Sequence, residues 1–95
     1  MKTPEERLNE LGFSLPPPII LPEGLHLPFS FVNIRGNRAF ISGHPRQSIK
    51  GAIDGPYGTL GRDLTMDHGK AASSEIALSV LSHLQREIGE LSRVS

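Results

Sequence analysis

Residues 33–44, Asn-Ile-Arg-Gly-Asn-Arg-Ala-Phe-Ile-Ser-Gly-His, carry two short apolar runs around a Gly-Asn turn, and they constrain the chain more than any other segment. A tight turn between such runs reads as an antiparallel hairpin. Residues 27–34, rich in Phe, Val and Ile, make the first strand, Arg35-Gly36-Asn37 the connection, and residues 38–42 the second strand. Alternation sets Phe29, Phe31 and Asn33 on one face, with Val32 and Ile34 on the other. Both faces are therefore partly apolar, which calls for cover on two sides, by a helix and by a neighbouring subunit. One hairpin and one helix in 95 residues also leave the sheet with an open edge.

That helix is well signalled. Thr65 caps it, Asp67 stands in its first turn and Gly89 terminates it. Ala72, Ile76, Val80, Leu84 and Ile88 recur every four residues, flanked by Ala77 and Leu81, and form the stripe expected to face the sheet. Ser73, Ser74, Ser79, His83, Gln85 and Glu87 are expected to cover much of the remaining surface. After Gly89, residues 91–94 read as the approach to another strand. The expected class is α+β, a single domain with four parts: an N-terminal helix and Pro-rich strap over 1–24, a hairpin over 27–43, a loop over 44–64 and a helix over 65–89.

The N-terminal helix has its own signals. Thr3 can cap, Pro4 suits the first helical position, Glu6 stands where a capping box needs it, and Gly12 is placed to end the helix. Beyond it, Pro16, Pro17, Pro18 and Pro22 exclude helix, and the interleaved Ile19, Ile20 and Leu21 suit a strap lying over apolar surface. The 44–64 loop holds Gly51, Gly55, Gly58 and Gly61; it lacks the Gly-Lys-Ser/Thr ending of a phosphate-binding loop and the spacing of a dinucleotide fingerprint.

Charge and composition remove several function classes. Ten basic residues balance ten acidic ones, and four Phe and one Tyr are too few for a base-stacking platform, so a nucleic-acid partner is not expected. Cysteine is absent, which removes disulfides and thiolate metal sites. His26, His44, His68 and His83 have no metal-ligand spacing, so neither a metal nor a cofactor is expected. The charged start Lys2-Thr3-Pro4-Glu5-Glu6-Arg7 is not a secretory leader and no apolar run is long enough to span a bilayer. The expectation is a cytoplasmic protein without a membrane partner.

His44-Pro45-Arg46, just past the second strand, is the strongest chemical candidate. A neutral imidazole can act as a base and a guanidinium can hold a carboxylate; a solvated loop is the competing reading. Ser42 can hydrogen-bond a ligand or satisfy its own backbone, and no nucleophile elbow surrounds it.

Taken in order, these segments resemble the reactive-intermediate deaminase family, also called Rid, YjgF-like or endoribonuclease L-PSP-like. The likeness rests on Thr3-Pro4-Glu5-Glu6-Arg7-Leu8, Pro16-Pro17-Pro18, Ile41-Ser42-Gly43-His44, Leu60-Gly61-Arg62-Asp63-Leu64-Thr65 and Ile88-Gly89-Glu90-Leu91 through Val94. It implies a chorismate-mutase-like α+β fold, truncated here to the N-terminal part of the domain, and a homotrimer with ligand clefts between subunits. It also implies hydrolysis of small reactive imine or enamine acids of the 2-aminoacrylate class. The family's substrate-gripping arginine and acidic residue belong to the second half of that domain, so no catalytic residue is assigned. By the same resemblance the ligand-contacting positions are Phe29, Ser42 and Gly43, with His44 and Arg46 added from their place at the strand end, and the ligand is a small carboxylate. Phe29 stands where active members often have tyrosine, and His44 where they have glutamine. These departures keep two alternatives open: a non-catalytic ligand-binding or interaction protein of the same fold, and an inactive fragment.

Overall fold

Thr3 and Thr65 each open a helix by the same device, a hydroxyl accepting the backbone N–H three residues on. In the computed structural model, which describes residues 2–21, 23–26, 30–48, 50–53, 55 and 57–95, Thr3 Oγ1 accepts from Glu6 N at 3.1 Å and starts α1, Pro4–Glu10. Phe13 N bonds Leu8 O and Gly12 N bonds Asn9 O, so α1 ends in a Schellman motif. Thr65 Oγ1 accepts from His68 N at 3.2 Å, while His68 Nδ1 accepts from Thr65 N at 3.1 Å; the closed box starts α2, Met66–Ile88.

Between the helices lies one antiparallel hairpin, β1 (Val32–Arg35) and β2 (Arg38–Ile41), with Val32 opposite Ile41 and Arg35 opposite Arg38. Its turn is the two-residue Gly36-Asn37. Gly36 has φ +60°, the positive value required at the first central position of a type II′ turn. The chain is thus α+β, with a two-stranded sheet and a long helix towards its C-terminus.

The first strand is shorter than the expected 27–34. Residues 27–29 lie outside the described residues, and Ser30 and Phe31 are not strand. Ser42 N still bonds Phe31 O at 3.0 Å, but Ser42 Oγ takes Ser30 O at 2.9 Å and Phe31 turns towards α2. The expected two-sided cover is also not met within this chain. Only Val32 of the hairpin is buried, while Phe40 is 55% and Ile41 45% exposed. Residues 91–93, expected to approach a strand, form a 3-10 helix, η1 (Leu91–Arg93), because Leu91 N is caught by Glu5 Oε2 at 3.0 Å. The same oxygen accepts from Gln85 Nε2 at 3.1 Å, so one carboxylate ties α1, α2 and η1 together. These bonds hold the Glu5 carboxyl below its usual range, the Leu91 N–H contributing most.

The buried apolar core is small: Val32, Leu84 and Leu91, with Leu8, Leu81 and Ile88 packed around them. Leu84 and Ile88 of the expected stripe therefore face the sheet, whereas Ala77 is exposed. The accessible surface, 7050 Å², exceeds the roughly 5,400 Å² of a folded monomer of this mass. The radius of gyration, 14.6 Å, exceeds the roughly 12 Å of a compact chain of this length.

Residues 44–64 form no helix or strand among the described residues, yet the loop is pinned. Isolated bridges join Ile20 to Ala52 and Gln47 to Ile53. At the crossing with the strap, Gly51 is buried with φ +93°, and a Cβ there would stand 2.5 Å from Pro18 O. Gly51→Ala is expected to destabilise by about 2 kcal/mol or more. A urea midpoint equal to that of the parent chain would show the crossing to be slack.

Candidate functional site

The second face of α2 is polar and buried. Ser79, expected on the surface, is 0% exposed, and Ser82 is 1% exposed. A polyproline segment makes no internal hydrogen bonds, so its carbonyls need donors from elsewhere. Ser82 Oγ donates to Pro16 O at 2.5 Å, and Arg86 Nη1 donates to Ser82 Oγ at 2.7 Å. Gln47, 6% exposed, bridges strap and helix. Its Nε2 donates to Pro17 O at 2.6 Å and its Oε1 accepts from Ser79 Oγ at 2.5 Å. Strap, loop and helix are thereby locked by side-chain hydrogen bonds.

This seam positions the sequence candidates. β2 runs into Ser42, whose hydroxyl hydrogen goes to Ser30 O and whose oxygen lone pairs remain able to accept. Gly43 is exposed, and nothing lies within 4 Å of a Cβ built on it. The His44 ring turns inward instead. Its Nδ1–H donates to Ser42 O at 2.7 Å, and its Nε2 is buried without a hydrogen-bond partner. Arg46 points away from this corner: it pairs with Glu75 of α2 through Nε and donates from Nη1 to Gly55 O. Ser42, Gly43 and His44 therefore share one corner, while Arg46 belongs to a separate groove between strap and helix. That groove, about 780 Å³, is walled by Phe13, Leu15, Pro17, Ser74 and Glu75. Phe29 lies outside the described residues.

Two residues missed by the sequence reading complete the corner. Phe31 stacks on His83 with centroids 4.7 Å apart, and His44 stands 4.9 Å from each of them. His83, expected on the helix surface, is half-buried, and its Nδ1–H donates to Ser79 O at 2.9 Å. Burial lowers the His83 pKa from its usual value; the Ser79 carbonyl opposes this, and the charges of Arg86 and His44 add to it. A signal for this face was present: 79, 82, 83 and 86 recur at three- and four-residue spacing, as core positions do, but are filled by Ser, Ser, His and Arg.

Among the described residues no group of three or more His, Cys, Asp or Glu is placed to hold a metal ion. Neither helix there is long and apolar enough to cross a membrane. Comparison of the chain with protein-family models, with curated proteins and with solved structures finds no match.

Proposed function

We propose that this chain is a Rid-like, chorismate-mutase-like module that takes small imine or enamine carboxylic acids of the 2-aminoacrylate class in a cleft completed by a neighbouring subunit, a homotrimer being the expected assembly. The observation that carries this reading is the open Ser42-Gly43 corner beside an uncovered apolar hairpin, with Phe40 55% exposed and only Val32 buried. A second chain seated on the hairpin would cover that surface and close a cleft over Gly43. Within it Ser42 Oγ would accept from a substrate iminium N–H. Water would add to the imine carbon and the C–N bond would break, releasing ammonia and the keto acid.

A non-catalytic binding module of the same fold is the second reading. It is favoured by the inward His44 Nε2 and by the pairing of Arg46 with Glu75, which occupy both residues that could act as base and clamp. Release of 2-oxobutanoate from 2-iminobutanoate formed in the assay separates the two. The enzyme reading expects hydrolysis above the uncatalysed rate, with Ser42→Ala slower by about tenfold, the worth of one hydrogen bond to a charged group. No acceleration, together with 2-oxobutanoate shifting the resonances of Ser42 and Gly43, would leave only the binding module. No acceleration and no shifts would remove both.

A further inference from the structure

The paired histidines at the corner have a property that ligand binding does not require. Each Nδ1 faces a backbone carbonyl, Ser42 O for His44 and Ser79 O for His83, and a carbonyl can only accept. Both rings are therefore fixed as Nδ1–H tautomers, and each must take an added proton on Nε2. For His44 that atom is buried and without a partner, so the new N–H would have no acceptor. The two positive rings would stand 4.9 Å apart across the contact between corner and helix.

The surrounding charges do not relieve this. On α2 itself, Arg86 opposes protonation of His83, as does His44 from the corner. The third ring in the cluster is Phe31, which carries no charge. Arg46 and Glu75, in the separate groove between strap and helix, are neutral as a pair. The attachments beside the cluster contain nothing that titrates near neutrality. Gln47 is held by Pro17 and Ser79, and Val32 is packed with Leu84.

We propose that the His44–His83 contact is a proton-operated latch: uptake of protons by the pair lifts Phe31 and the 42–44 corner off α2, while Gln47 and Val32 stay docked as hinges. Opening turns His44 Nε2 to solvent and frees the corner to move. The latch belongs to the chain whatever the corner binds.

The sign follows from the ring that must stay neutral. For His83, whose cation burial disfavours, closure is unaffected above the free value of about 6.5 and is weakened by up to about tenfold per pH unit below it. The test is proton NMR of the full chain at pH 7.5 and 5.5. Cross-relaxation between the rings of His44, His83 and Phe31 is expected at pH 7.5 and lost at pH 5.5, while contacts of Val32 with Leu84 and of Gln47 with Ser79 persist. In His44→Phe, where position 44 keeps an aromatic ring and cannot charge, the contact with His83 is expected to survive at pH 5.5. His83→Phe is the matching variant from the helix side. Three results would overturn the latch: ring contacts persisting at pH 5.5 with both imidazoles protonated by chemical shift, loss of every contact together, or an unchanged pH step in the Phe variants. The parent chain alone distinguishes the first two, so a variant that fails to fold does not rescue the idea.

Discussion

Leu84→Ala is expected to remove much of the stability of this chain. Among the described residues Leu84 is one of three buried apolar ones, and it clusters with Val32 of the hairpin and Leu91 of η1. A Leu→Ala change at a buried site costs about 3 kcal/mol, the lost transfer energy plus the cavity. Against a typical stability of about 5–15 kcal/mol, lower for a chain with so small a core, that removes much of the whole. The hairpin packed on this site is exposed from Asn33 to Ile41, so it supplies no second apolar layer to fill the gap. Urea unfolding followed by far-ultraviolet circular dichroism is expected to show a midpoint lowered by about 2 M, or a featureless slope. Leu84→Met, which keeps the volume, should stay within about 1.5 kcal/mol of the parent. A full transition at the parent's midpoint in Leu84→Ala would mean that the hairpin is not held by this cluster.

The second large effect is expected at a polar residue. Gln47→Leu keeps most of the side-chain volume but removes both its hydrogen bonds, leaving Pro17 O without its donor and Ser79 Oγ without its acceptor. Two orphaned buried groups cost about 2–4 kcal/mol together. Ser79 can recover part by turning to a carbonyl of its own helix. Ser79→Ala alone should cost less, and adding it to Gln47→Leu should change little, giving a coupling of about 1–2 kcal/mol in the double-mutant cycle. Additive effects would mean that the Ser79–Gln47 bond contributes nothing specific. Loss of the seam should also free the strap, seen as faster amide exchange at Ile20, whose N–H bonds Gly51 O.

The elements readable from the chain were those with local causes. Thr3 and Thr65 caps, the Gly36-Asn37 turn and the Gly12 and Gly89 terminators lie within a few residues of what they determine, and all are found where expected. The start of the first strand was not readable, because Phe31 turns to the His83 ring on α2, more than fifty residues away. The polar face of α2 was misread for a related reason. Serine is ordinarily a surface residue, and its burial is made favourable by acceptors distant in the chain, Pro16 O for Ser82 and Gln47 Oε1 for Ser79. Ser42, Gly43 and His44 are consecutive and so lie together in any fold, while Arg46 was drawn to Glu75 by a contact that no spacing encodes.

The two faces of α2 are fastened by forces with opposite thermal behaviour. Towards the hairpin it is held by Leu84 among apolar neighbours, an attachment that weakens on cooling. Towards strap and loop it is held by Ser79 on Gln47 Oε1 and by Ser82 and Arg86 on Pro16 O, an enthalpic attachment that weakens on heating. The helix therefore sheds different partners at the two ends of the temperature range: the hairpin loosens first in the cold and the strap first in the heat.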